Sequence, residues 1–213
     1  MTSPGDGAPA DATAAAADGA APRGAAPQGT APQGTAPQGT APEGAASAAQ
    51  HDADPRGAAP AGRTADVLLR PLVDADLDAL EDMEEALFGA GAWSRASLAE
   101  EIAGPGRWYV GAQDRASGEL VGYAGLWFDG YDGQVMTVGT RPDAQGRGVG
   151  RMLLDALLDH ARELGAGDVL LEVRVDNEPA LRLYERAGFE RFGRRKGYYQ
   201  PENVDAWTMR RKA

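Results

Sequence analysis

From Asp66 onward, apolar positions recur with two spacings. Val67 to Arg70 is a short strand-like run stopped by Pro71. Leu77, Leu80, Met83 and Leu87 follow the helical interval, interrupted only by Glu84. The spacing predicts a helix from a cap at Asp74 or Asp76 to about Phe88, ended by Gly89 and Gly91. Ser94 is placed to cap a short second helix with Leu98 and Ile102 on one face, closed by Gly104-Pro105. Trp108 to Gln113 and Leu120 to Phe128, separated by a turn at 115–118, read as a hairpin. Gln134 to Thr140 is a third strand, stopped by Pro142.

The clearest helix follows the turn at 146–150. Val149, Leu153, Leu157 and Leu164 form a stripe, widened by Met152, Ala156 and Ala161, and Gly165 ends it. Val169 to Val175 is a strand of the buried type. Glu178 to Ala187 is a helix ended by Gly188, and Phe189–Tyr199 and Val204–Met209 close the chain as paired strands. The order β-α-α-β-β-β-α-β-α-β-β predicts an α/β (α+β) domain, a mixed central sheet with helices on both faces.

Composition separates this domain, residues 66–213, from what precedes it. Between Thr2 and Asp66 there is no Val, Ile, Leu, Met, Phe, Trp or Tyr. The segment 1–65 is rich in Ala, Pro and Gly and repeats a five-residue unit, with APQGT three times over 26–40. With too little apolar area to offset chain entropy, it is expected to be a disordered tail. Cysteine is absent, which excludes a disulfide scaffold and a thiolate nucleophile. The N-terminus has neither the basic start nor the apolar run of a secretory signal, and no window reaches the ~18 apolar residues of a membrane span. A cytoplasmic location without membrane attachment is expected.

The net charge of -11 is unevenly spread: residues 66–132 carry 14 acids against four arginines, whereas 133–213 carry 12 acids against 14 basic residues. Such asymmetry suits a basic partner on one side and an anionic ligand on the other, or simply solvated faces. Binding of nucleic acid is not expected, for want of a dominant basic footprint.

Gln145-Gly146-Arg147-Gly148-Val149-Gly150 joins a strand to the best helix. A glycine-rich turn there offers unpaired amides and the positive end of the helix dipole to an anion, and Arg141, Arg147 and Arg151 add charge around it. A Walker loop is excluded because no Gly-Lys-Ser/Thr is present. A dinucleotide fingerprint is excluded because its third glycine falls on Arg151 and the turn follows a β-meander.

Gln145-x-x-Gly148-x-Gly150, opening a long helix after a meander, resembles the acetyl-CoA pyrophosphate loop of the GNAT N-acetyltransferases. The resemblance runs from about Asp66 to Arg210. It takes in Leu171-Glu172-Val173-Arg174, Asn177 and Leu183-Tyr184-Glu185-Arg186-Ala187-Gly188-Phe189. Ala92-Trp93-Ser94 and Arg194-Arg195-Lys196-Gly197-Tyr198-Tyr199 narrow it to the RimI-type ribosomal-protein-alanine N-acetyltransferases. The resemblance implies a GNAT fold and transfer from acetyl-CoA to the N-terminal alanine of a small-subunit ribosomal protein. Other protein N-termini, lysine, small amines or a non-catalytic acetyl-CoA sensor are the alternatives. It implies no metal.

The resemblance also assigns roles. Main-chain groups of Val138, Gly139, Thr140, Gln145, Gly146, Arg147, Gly148, Val149, Gly150 and Arg151 would hold acetyl-CoA, and a backbone N–H near Val138 would meet the oxyanion. Asn177 would contact the CoA arm, or simply cap its helix. Glu172, an acid inside the apolar run 169–175, would be the general base with a pKa raised by its neighbours, or else a strand carboxylate paired with Arg174 or another arginine. Tyr184 would protonate the thiolate, or pack as a core aromatic. Trp93, Tyr198 and Tyr199 are candidate walls for the acceptor N-terminus. Phe88-Gly-Ala-Gly-Ala-Trp93 lacks the proline common in the family, and Gly197 precedes the tyrosine pair. His51 and His160 have no partner at metal-ligand spacing.

Overall fold

The computed structural model describes residues 66–213; the predicted tail, His51 with it, lies outside the described residues. Among the described residues, seven strands form one sheet in the order β1-β2-β3-β4-β5-β7-β6. The strands are β1 (Val67–Pro71), β2 (Arg107–Asp114), β3 (Leu120–Phe128), β4 (Gly133–Thr140), β5 (Asp168–Arg174), β6 (Glu190–Tyr199) and β7 (Val204–Lys212). Strands β1 to β4 pair antiparallel as a meander. The crossover helix α3 (Val149–Glu163) then brings β5 parallel to β4, and β7 and β6 complete the sheet antiparallel.

Helices cover both faces, as the spacing predicts. On one, α1 (Leu77–Phe88) and α2 (Arg95–Ala103) bury Leu77, Leu80, Met83, Leu87 and Leu98 with Trp93, Tyr109 and Tyr123. On the other, α3 and α4 (Glu178–Arg186) bury Leu153, Leu157, Leu181 and Tyr184 with the aliphatic side chains of β4, β5 and β7. Each fully buried leucine contributes roughly 1.5–3 kcal/mol. The α3 stripe differs from expectation at its end: Leu164 is exposed, because the helix stops at Glu163, and Leu154 and Leu158 are buried in addition. No described helix is long and apolar enough to cross a membrane.

Two helix starts show how short-range chemistry sets the boundaries. Ser94 accepts a hydrogen bond from the Ser97 N–H at 3.2 Å, a cap worth about 1 kcal/mol. Asp76 precedes α1 but does not cap it through its side chain. Its carboxylate takes a two-pronged bond from Arg70, 2.7 Å to each oxygen, and the Val73 N–H at 2.8 Å. That pairing holds Asp76 below the usual carboxylate range and fastens the entry of α1 to β1.

Candidate active site

The sheet is open at one place. Strands β4 and β5 pair only at Gly133–Val169 and Gln134–Leu170, after which they diverge. From Val135 to Thr140, one edge of β4 therefore has no strand beside it, and its N–H and C=O groups face the fork. A register shift opposite Gly125 and Leu126 marks the start of this segment. It contains Val138, Gly139 and Thr140, the main-chain cofactor contacts expected from sequence.

The glycine turn follows directly. Gly146 and Gly148 have φ of +70° and +85°, a left-handed backbone that costs an L side chain about 1–2 kcal/mol. The first helical bond at this end is Met152 N–H to Gly148 O at 3.1 Å, so the amides of Val149, Gly150 and Arg151 have no acceptor within the helix. A Cβ on Gly146 would meet open space, and one on Gly150 would lie 3.5 Å from Thr140 Oγ1. Unpaired amides, a helix dipole and an unobstructed turn fit a diphosphate.

The arginines around the turn are not free cations. Arg141 pairs with Asp143 and Glu119, Arg147 with Asp114 at 3.0 Å, and Arg151 with Asp155 at 2.8 Å. Their expected positive field is thus largely neutralised by neighbouring carboxylates, and what the turn offers an anion is its main chain. Asn177 is buried and caps α4, accepting from the Ala180 N–H at 3.1 Å.

Alternation along β5 buries Val169, Leu171 and Val173 against α3 and α4 and turns Leu170, Glu172 and Arg174 to the other face. Glu172 therefore lies on the face that strand alternation assigns it, with Leu170 and Arg174 and apart from Leu171 and Val173. Its carboxylate accepts from Gln134 Nε2 at 2.7 Å on one oxygen and from Arg195 Nη1 at 3.3 Å on the other. Arg174 is engaged elsewhere, with Asp176 and Glu202. Arg195 also lies over the Tyr198 ring, 4.2 Å from its centre.

Tyr184 is buried among the α4 side chains, edge-on to Phe189 with ring centres 5.9 Å apart. Burial pushes its hydroxyl above the usual phenol range. Tyr199 is likewise held above the phenol range, mainly by burial.

Two expected acceptor walls lie elsewhere. Tyr199 is only 1% exposed and sits beneath Arg174 and Tyr198, and Trp93 is 4% exposed within the α1–α2 cluster. Their large rings are core anchors rather than surface walls. Tyr198 is half-buried at a bulge of β6. Arg195 opposes Ala206 and Tyr199 opposes Val204, which leaves Lys196, Gly197 and Tyr198 facing Asp205 alone. Gly197, with φ +56°, gives its N–H to Asp205 at 2.8 Å and makes that bulge possible. His160 stacks on Trp108.

Three contributors were not singled out from sequence. Gln134 is an ordinary first residue of an alternating strand, and Arg195 one of several cations in a run. Glu84 carried a signal: it is the acid that interrupts the apolar stripe of α1. It is 3% exposed, and it accepts from the Trp93 N–H at 2.9 Å and from the Tyr123 hydroxyl. Burial pushes its carboxyl up to about 7, against the Trp93 bond, which lowers it.

Comparison with known proteins gives this geometry a family. The model of the acetyltransferase (GNAT) family matches residues 77–189. The chain is 45% identical over 153 residues to the N-alpha-acetyltransferase RimI of Mycobacterium tuberculosis, covering 70% of this chain and 94% of that protein. The crystal structure of the ribosomal-protein-S18-alanine N-acetyltransferase from Escherichia coli superposes with a TM-score of 0.61. It is 26% identical and covers 68% of this chain and 93% of that one. A GNAT superfamily phosphinothricin acetyltransferase from Sinorhizobium meliloti, solved with AcCoA, gives a TM-score of 0.60 at 26% identity, covering 69% and 88% of the two chains.

Proposed function

The chain belongs to the acetyltransferase (GNAT) family, and from that premise we propose that it acetylates a protein N-terminus, the N-terminal alanine of a small-subunit ribosomal protein. The observation that carries this reading is the fork between β4 and β5 with Glu172 at its edge, held by Gln134 and Arg195 on the face that also bears Tyr198. The identity to the M. tuberculosis N-alpha-acetyltransferase over nearly that protein's whole length supports an α-amino acceptor. The E. coli neighbour supports a ribosomal one.

Acetyl-CoA would be held by the main chain of Val138–Thr140 and Gln145–Arg151, with Asn177 beside its arm, and supplies the acyl group as a thioester. An α-amino group has a pKa of about 7.7–8.0, so much of it is protonated at neutral pH and a base is useful. Glu172 takes the proton as the nitrogen bonds to the carbonyl carbon. A β4 amide near Val138 faces the oxygen that gains charge. When the C–S bond breaks, the Tyr184 hydroxyl gives its proton to sulfur. No bond to the enzyme is formed.

Incubation with acetyl-CoA and an alanine-starting ribosomal peptide, followed by mass spectrometry of the fragments, tests the reading. One acetyl group on the α-nitrogen is expected. Transfer only to lysine or to a small amine would overturn the substrate, and binding of acetyl-CoA without transfer to any amine would leave a sensor.

A further inference from the structure

Glu84 is a carboxylate for which the chemistry above has no use, yet it is buried and bonded on both oxygens. Burying an acid in an apolar layer is costly, so its partners indicate what it secures. On one side it holds the Trp93 N–H, where the segment Gly89–Trp93 leaves α1 and turns into α2. One helical turn earlier on α1, Glu81 accepts from the Arg95 N–H at 2.9 Å and supports the same junction. On the other side Glu84 accepts from Tyr123 of β3.

Tyr123 in turn lies against the fork strand. A Cβ on Gly139 would come 2.7 Å from the Tyr123 ring and 3.1 Å from Leu87, so β4 approaches both closely at that residue. Met136 and Phe88 pack at the border of the α1–α2 cluster, and Gln134, next but one to Met136 on β4, bonds Glu172. One buried carboxylate therefore connects the α1–α2 segment to the strand that borders the reaction site.

We propose that Glu84 is a positioning residue of the acceptor site. By fastening Trp93 to Tyr123, and through Tyr123 to β4, it sets where the acceptor amine stands relative to Glu172 and the fork. This rests on the transferase reading above. The glycine turn that would hold the pyrophosphate of the donor lies outside the connection, which touches the donor side only where Tyr123 meets Gly139, so the larger effect falls on the acceptor.

The test uses the full chain and three variants. Glu84→Met keeps the bulk and removes both bonds, Tyr123→Phe removes one, and Glu84→Gln keeps an acceptor for the Trp93 N–H. Glu84→Met is expected to raise KM for the alanine peptide about tenfold, the size of a lost buried hydrogen bond, with a clearly smaller change in KM for acetyl-CoA. Tyr123→Phe should shift it in the same direction by less, and Glu84→Gln should recover most of the wild-type value. Amide exchange at Trp93 should quicken in Glu84→Met, while that at Gly146–Arg151 stays as in the wild type. Equal changes in KM for both substrates, or lower thermal stability with peptide KM and Trp93 exchange unaltered, would overturn the proposal. If Glu84→Met fails to fold, Tyr123→Phe and Glu84→Gln decide by the same readouts. If the wild type does not acetylate the peptide but Glu84→Met still quickens exchange at Trp93 alone, the substrate reading fails and the fastening stands.

Discussion

The glycine turn at Gln145–Arg151 and the wall of side chains that includes Glu84, Tyr123, Gln134, Glu172 and Arg195 are built in different ways. In the turn, contiguous residues contribute main-chain amides, and the side chains of Arg141, Arg147 and Arg151 are occupied by nearby carboxylates. In the wall, side chains from α1, β3, β4, β5 and β6 meet across long stretches of chain: Glu84 with Tyr123, Gln134 with Glu172, Arg195 with Glu172. A backbone device tolerates changes of side chain but not of φ. A side-chain device tolerates neither loss of a partner nor loss of the fold that gathers the partners.

The largest expected effect tests the wall at its reacting group. Glu172→Gln should lower turnover by roughly 10²–10⁴-fold, the usual contribution of a positioned base, and leave acetyl-CoA affinity intact. Titration calorimetry beside steady-state rates separates the two, and unchanged turnover would remove Glu172 as the base. In the turn, Gly148→Ala should act in the opposite sense. Forcing alanine to φ +85° costs about 1–2 kcal/mol, so acetyl-CoA should bind roughly tenfold more weakly with the peptide KM unaltered. Equal affinity in that variant would mean the turn holds its ligand by other means.

A pH experiment sharpens the contrast further. Because burial raises Glu84 from 4.5 to about 7, the folded chain keeps a proton that the unfolded chain has lost. The stabilisation is fully present below pH 4.5 and is lost as pH rises through about 7. Its full size is on the order of 3 kcal/mol. Of the titratable groups facing Glu84, Tyr109 is held well above the phenol range through burial and Glu101, which itself pairs with Arg107, and Tyr123 is its bonded partner. Urea unfolding from pH 4 to about 8 should show wild type losing stability relative to Glu84→Gln across that window. Parallel curves would show that Glu84 does not titrate there. The smallest expected effect is outside both regions: removal of Thr2–Gly62 should leave kcat and both KM values unchanged, and a loss of activity would assign the tail a role.

How much of this was readable in the chain follows the same division. The turn was readable because its glycines and the helix after it are adjacent residues, and local backbone geometry is encoded locally. Glu172 and Tyr184 were readable only through resemblance. Strand alternation puts Glu172 on the face of Leu170 and Arg174, as found, but it does not say that Gln134 and Arg195 are the partners of the acid. Trp93 and Tyr199 were misread as walls because residue type states what a ring can do and not how deeply it is buried. The interruption of a helical stripe at Glu84 was visible, yet its partners lie nine and 39 positions away.

The amino-acid sequence by itself determined the order of strands and helices, the mixed sheet covered on both faces, and the glycine turn that opens α3, since each depends on periodicity or on neighbouring residues. The tertiary structure decided which carboxylates meet which donors, where β4 and β5 part, and that the turn's arginines are already paired. Those outcomes depend on distances between residues far apart along the chain, and packing alone sets them.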